Sequence, residues 1–253
     1  MGAGLSPRDV DAIFVVSVTG VASPSLDARL VNRMGMSPRI KRIPIFGLGC
    51  VAGATGIARA ADYVRAFPHH VAALLSVELC SLTLQKEAVS MANLISSALF
   101  GDGAAAAIVA GSERGYPGAE VPESRSVFYP ETEYIMGWDI SEKGFQIALS
   151  PTLPQLIVDH LGHDMDDFLA DHELTREDIG RWILHTGGPK ILEATGTALG
   201  LYKWMHRGSA CAKCAIFPQP PCSWCWRKFS KGGARKRERT RCSPPWDRVF
   251  VRN

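Results

Sequence analysis

Ile43-Pro-Ile-Phe-Gly-Leu-Gly-Cys-Val-Ala-Gly-Ala-Thr-Gly-Ile-Ala58 is the stretch on which the reading of the whole chain turns. A short apolar strand ends at Phe46, two glycines make a tight turn, and Cys50 stands where a helix begins. That helix is expected to run to about Phe67, and it carries no charge before Arg59. Its first turns hold Ala52, Gly53, Ala54 and Gly56, small enough for other backbones to pack closely. A cysteine at a helix N-terminus meets the positive end of the macrodipole, which favours the thiolate. The competing reading is a small core hydrophobe, since a reduced cysteine is commonly buried as one.

Outward from this elbow, strands and helices alternate. Ala12–Val18 and Val71–Val77 are continuous, β-branched apolar runs of the kind found in buried strands. Leu5–Val10 reads as a helix start. Between these runs, Ser23-Pro24 reads as a cap followed by proline at a first helical position, and Leu26, Leu30 and Met34 share one face up to Gly35. Pro68 closes the Cys50 helix. Beyond it, Ser90–Ser97 reads as a helix, Leu99–Gly103 as a turn and Ala104–Ala110 as a strand. Residues 111–135 are polar and punctuated by Gly and Pro, suited to a surface connection. The chain resumes with an alternating strand at Phe145–Leu149 and a helix over Pro154–Leu161. Thr175 opens a capping-box pattern, Arg181–His185 reads as a strand, and Lys190–Leu199 as a helix. This alternation predicts an α/β fold with strands covered on both faces.

Two of these strands lead into reactive residues at a turn before a helix, Cys50 and His185. A lone histidine at a strand end is commonly a hydrogen-bonded structural residue. Paired with a cysteine, it fits covalent acyl transfer, in which a thiolate attacks and an imidazole assists.

Four motifs then carry a resemblance: Gly49-Cys-Val-Ala-Gly53, Leu99-Phe-Gly-Asp-Gly-Ala-Ala-Ala106, Met136-Gly-Trp138 and His185-Thr-Gly-Gly-Pro189. Over residues 5–200 the chain resembles the type III polyketide synthases, the chalcone and stilbene synthase superfamily, and its bacterial members most. Initiating ketoacyl synthases of fatty-acid synthesis are the second candidate, although their histidine block looks different. The resemblance implies a thiolase-like, layered αβαβα fold, a homodimer, and condensation of an acyl-CoA starter with malonyl-CoA. No cofactor is implied beyond these coenzyme A thioester substrates, and no metal, nucleic acid or membrane. By the same resemblance, Cys50 is the nucleophile and His185 its partner, which also stabilises the enolate. Phe100 is the gatekeeper aromatic beside Gly101. Thr19, Cys80, Thr83 and Ile147 fall where family members line the cavity. Asp102, between two glycines, reads as a turn residue rather than an acid catalyst.

The resemblance divides the chain into the rest of an N-terminal lobe (1–115), the start of a C-terminal lobe (116–200) and a tail (201–253). Roughly the first quarter of a family member has no counterpart here, and the resemblance stops at Gly200. The Asn motif expected next, with the third catalytic residue, is missing. The net charge of +3 averages two unlike parts: from Lys203 onward 13 Lys/Arg face only Glu238 and Asp247. Two accounts of the tail compete. In one, Cys211-x-x-Cys214 and Cys222-x-x-Cys225 bind zinc while Arg235–Arg241 holds phosphates. In the other, the reading frame slips near Leu201. Reading permitted codons of Leu201–Arg227 from each third base yields Asn-Leu-Pro-Ser-Ala-Ser within a helix-then-strand pattern, a near-copy of the missing motif. On this second account the tail is disordered, decarboxylation is impaired, and an inactive fragment or pseudoenzyme is the alternative to a synthase. The opening Met1–Leu5 lacks the basic and apolar regions of a signal peptide, so the expected compartment is the cytoplasm.

Overall fold

The structure, a computed structural model, describes residues 4–85, 90–142 and 144–201, with the backbone of two short strands, Cys214–Ala215 and Val251–Arg252. The tail's metal-binding and frame-slip accounts therefore lie outside the described residues. Within the chain two compact units form. One contains residues 1–78 and 103–126, the other residues 79–102 and 127–220, with 221–253 assigned to the first.

The first unit is built on a sheet of β1 (Ala12–Val16), β2 (Lys41–Ile45), β3 (Val71–Glu78) and β4 (Gly103–Ala110), in the order β2-β1-β3-β4. β1 pairs in parallel with both β2 and β3, while β4 is antiparallel to β3. Helix α2 (Ala52–Ala66) covers one face. Its Ala52, Ile57, Ala60 and Val64 meet Phe14, Val16 and Leu74 in a buried cluster. On the opposite face Ile13 and Val15 pack with Met36 and Ile40, joined by Leu26 and Leu30 of helix α1 (Leu26–Met34). All five β1 residues are buried for that reason. The expectation of strands covered on both faces fails at β4, where Ala104, Ala106 and Ile108 are exposed and Ala107 faces the core. As an antiparallel strand at the sheet's edge, β4 has the one-sided alternation such strands commonly show.

The start of α1 is also displaced. Its cap is Ser25, with Leu26 first in the helix, rather than Ser23 with Pro24. Asp27 in the first turn is fully buried, accepting hydrogen bonds from the Ser25 hydroxyl and the Arg42 guanidinium. That ion pair, buried at Asp27 and exposed at Arg42, anchors the helix start to β2. The predicted start at Leu5–Val10 is a single 3-10 turn, Pro7–Asp9, closed by a Ser6–Asp9 capping box.

The second unit holds helix α3 (Met91–Leu99), whose cap Ser90 accepts from the Asn93 amide at 3.1 Å. Later in the chain, a two-residue strand, β5 (Ser124–Arg125), belongs to the first unit. Then come an antiparallel pair, β6 (Met136–Ser141) with β7 (Gly144–Leu149), helix α4 (Leu153–Ala170), β8 (Trp182–Ile183) and helix α5 (Pro189–Leu199). The strands Cys214–Ala215 (β9) and Val251–Arg252 (β10) lie parallel to β8 and β5.

The sequence reading ends α4 too early, at Leu161. The helix runs on through Gly162 to Ala170. A Cβ at Gly162 would lie 2.7 Å from the carbonyl oxygen of Ala198 in α5, so this glycine permits a close helix–helix approach. Arg176 fastens the same place. Its guanidinium donates to the carbonyls of Gly162 (2.8 Å) and Ala198 (3.0 Å) and grips the Asp166 carboxylate.

Candidate active site

The elbow before α2 is made by backbone conformation. Gly47 (φ +90°) and Gly49 (φ +54°) are both left-handed, and neither has a heavy atom within 4 Å of where a Cβ would stand. Space is not what demands glycine there; the sign of φ is. The chain leaves β2, passes both left-handed residues and enters a 3-10 turn, Gly49–Val51, that runs directly into α2. Cys50 sits in that turn and is exposed. The core-hydrophobe reading of Cys50 therefore does not describe its place.

Sheet topology brings a second predicted residue to the same end of the first unit. In the parallel register Val16 of β1 stands level with Ile45 of β2 and Ser76 of β3. Cys50, Thr19 and Glu78 all follow these positions, so they gather at the carboxyl end of the parallel strands. That end is where open α/β sheets bind ligands. Thr19 is buried, and its hydroxyl donates to Glu78 Oε2 at 2.7 Å. The Glu78 carboxylate also accepts the backbone amides of Val18 (3.1 Å) and Thr19 (3.2 Å). Glu78 was not foreseen from the sequence. Its only signal was a carboxylate ending an otherwise apolar strand.

In the second unit, five predicted positions come together. Cys80, Thr83, Phe100, Gly101 and Ile147 all line one cleft of about 290 Å³. Cys80 and Thr83 lie on a 3-10 turn, Phe100 and Gly101 follow the end of α3, and Ile147 comes from β7. Trp138 and Phe145 complete an apolar wall, meeting edge to face with ring centroids 5.8 Å apart. Ser81, Leu84 and Asn93 also line the cleft and were missed. The alternation over Phe145–Leu149 marked β7 as a strand, but β6 was not read as one, and nothing local says which element faces the pair.

His185 belongs to the second unit, two residues past β8. Its loop is shaped by glycines. A Cβ on Gly187 would stand 3.3 Å from the His185 ring, and one on Gly188 3.4 Å from Leu99. Gly188 has φ +106° and caps α5, whose first residue is Pro189. The histidine loop thus packs against the helix end that carries the Phe100 turn. Burial lowers the His185 pKa below 6.5, favouring the neutral imidazole at neutral pH. Cys50 belongs to the first unit and His185 to the second.

A pH dependence follows from that burial. The unfolded chain binds a proton at His185 more readily than the folded one. Stability is therefore full above pH 6.5 and falls as pH drops through the depressed value. In His185→Gln this loss is removed. Denaturant midpoints between about pH 7.5 and about pH 5.5 are expected to fall less in the variant than in the parent.

No helix among the described residues is long and apolar enough to cross a membrane. No group of three or more His, Cys, Asp or Glu side chains among them is arranged to hold a metal ion.

Known proteins resemble this chain in sequence and in fold. Residues 4–113 match the family described as chalcone and stilbene synthases, N-terminal domain. A 1,3,6,8-tetrahydroxynaphthalene synthase of Streptomyces peucetius subsp. caesius is 52% identical over 202 residues, 79% of this chain and 53% of the relative. A putative chalcone synthase of Bacillus subtilis (strain 168) is 41% identical over 198 residues, 76% of this chain and 54% of that protein. The crystal structure of 1,3,6,8-tetrahydroxynaphthalene synthase from Streptomyces coelicolor A3(2), a bacterial type III polyketide synthase, superposes with a TM-score of 0.74 at 36% identity. That superposition covers 78% of this chain and 56% of the other. The chain spans about half the length of the curated relatives it matches. The α/β fold is that of these enzymes, thiolase-like as the motifs implied. By sequence and by fold, the chain belongs to the chalcone and stilbene synthase family, the type III polyketide synthases.

Proposed function

We propose that this chain is an acyltransferase that loads an acyl group from a coenzyme A thioester onto Cys50 and extends it with malonyl-CoA. The Cys50 thiolate attacks the acyl carbonyl, the carbon–sulfur bond to coenzyme A breaks, and the coenzyme A thiolate leaves with the proton. Malonyl-CoA then loses carbon dioxide, and the electron pair of the broken bond passes into an enolate. Its carbon attacks the Cys50 thioester, forming the new carbon–carbon bond and releasing the cysteine sulfur. His185 accepts the thiol proton and donates a hydrogen bond to the enolate oxygen, the kind of preorganised donor that supplies much of such a rate effect. Phe100 and Gly101 border the growing chain, while Thr19, Cys80, Thr83 and Ile147 shape its cavity. The working assembly is a homodimer.

The observation that carries this reading is the convergence of Cys80, Thr83, Phe100, Gly101 and Ile147 on one cleft, with the His185 loop packed on the adjoining helix end. The missing Asn motif argues for slow condensation, since losing one donor of the oxyanion-hole type costs on the order of a hundredfold or more. That observation also favours a second reading, a chain that accepts acyl groups without extending them.

The test is incubation with carboxyl-labelled malonyl-CoA, alone and with a panel of acyl-CoA starters. Carbon dioxide release and the intact mass of the protein are both followed. A tetrahydroxynaphthalene, the product named for the 52% identical relative, is the first product to assay. Release of carbon dioxide together with an acylated protein supports the synthase. Acylation without release supports the second reading, and absence of both overturns the proposal.

A further inference from the structure

Asp102 looks from the sequence like a turn residue serving its own backbone. In the structure its carboxylate reaches 21 positions back along the chain. Oδ1 accepts the backbone N–H of Ser81 at 2.8 Å, and Oδ2 accepts the Ser81 hydroxyl at 2.7 Å. Both bonds stabilise the ionised carboxylate and hold its pKa below the usual range, the backbone bond foremost.

The two residues joined this way sit on two different walls of the 290 Å³ cleft. Ser81 lies within the 3-10 turn Cys80–Thr83, between two predicted lining residues. Asp102 directly follows Phe100 and Gly101. The stretch containing the turn is also tied at its far end. Asn93 of α3 donates to the Gln85 carbonyl at 2.9 Å, and the Gln85 amide donates to the Phe145 carbonyl of β7 at 3.3 Å. Asp102 supplies the tie at the near end. A carboxylate suits that task because it only accepts hydrogen bonds, so one group takes an N–H and an O–H at once.

We infer that Asp102 is a positioning residue of this cleft, clamping the turn that bears Cys80 and Thr83 against the turn that bears Phe100. The separation of those two walls sets the size of acyl chain the cleft accepts. This rests on the function proposed above only in that the cleft is where the acyl chain lies.

The clamp and its consequence are separated by two measurements on the full chain. The first needs no activity: the rate at which iodoacetamide alkylates Cys80, resolved from the other cysteines by peptide mass spectrometry. The exposed Cys50 and the thermal midpoint serve as controls for general loosening. Asp102→Ala is expected to speed Cys80 labelling about three- to tenfold. Ser81→Ala loses the hydroxyl prong but keeps the amide prong, and Asp102→Asn keeps an acceptor for the amide while its NH2 can donate to the Ser81 hydroxyl, so both give smaller increases. Asp102→Ala combined with Ser81→Ala labels no faster than Asp102→Ala alone, because both remove one interaction. Unchanged Cys80 labelling in Asp102→Ala overturns the clamp, as does additivity in the double variant. The second measurement compares Cys50 acylation across acyl-CoA chain lengths. Asp102→Ala is expected to shift the preferred length while Ser81→Ala shifts it less. Faster Cys80 labelling with an unchanged preference overturns the sizing role. Should the parent chain take no acyl group at all, the proposed function falls, and the labelling series still decides the clamp.

Discussion

Cys50→Ala is expected to accept no acyl group from any coenzyme A thioester and to form no carbon–carbon bond with malonyl-CoA. The reasoning is chemical. Covalent transfer needs a nucleophile that both attacks a thioester and leaves from one, and no general base can create that in an alanine methyl group. Cys50 is exposed in the 3-10 turn entering α2, so its removal costs little packing and the variant is expected to melt as the parent does. Cys50→Ser separates two roles. A hydroxyl occupies the same place but ionises far less readily at neutral pH, so acylation is slowed by orders of magnitude rather than abolished. The comparison is read from intact mass after incubation with the same starters. An alanine variant acylated as fast as the parent would mean that another cysteine is the acceptor.

Gly56→Leu is expected to have the largest effect on the fold. A Cβ at Gly56 alone would lie 2.6 Å from Leu74 Cδ1 and 3.2 Å from Val16 Cγ1. Both of those side chains are fully buried between α2 and the sheet. Four added carbons cannot enter that seam without lifting α2 off β1 and β3. Overpacking costs about 1–3 kcal/mol for modest insertions and more for one of this size. Against a total stability of roughly 5–15 kcal/mol, the variant is expected in the insoluble fraction, or with a thermal midpoint lowered by about 10 °C or more. Gly118→Ala is the matched control, because nothing stands within 4 Å of its added carbon. A Gly56→Leu protein that melts with the parent would show that α2 does not rest on the sheet through this seam.

How far the sequence could be read depended on the range of the interaction concerned. The elbow at Gly47 and Gly49, the start of the Cys50 helix and the capping box at Thr175 were legible because their causes lie within a few residues. The end of α4 was not. Only the approach of Ala198, 36 positions on by residue number, explains why the helix passes through Gly162. The one-sided burial of β4 depended in the same way on which strand stood beyond it. Among the site residues, Cys80, Thr83, Phe100, Gly101 and Ile147 were named through resemblance to a family, not through any local periodicity. Their common cleft is a tertiary fact. Glu78 holding Thr19 and Asp102 holding Ser81 were invisible for the same reason, spanning 59 and 21 positions.

The order β2-β1-β3-β4 leaves the sheet with two unlike borders. On one side, Lys41, Arg42 and Pro44 place charge and a missing N–H along the strand, features that discourage a foreign chain from annealing there. On the other, Gly103-Ala-Ala-Ala-Ala-Ile-Val-Ala110 offers neither charge nor proline. Losses on refolding from denaturant should therefore grow with protein concentration through that alanine-rich margin. A lysine at the exposed Ala106 is expected to raise the yield of dispersed protein, by light scattering, whereas one more lysine on β2 leaves it unchanged.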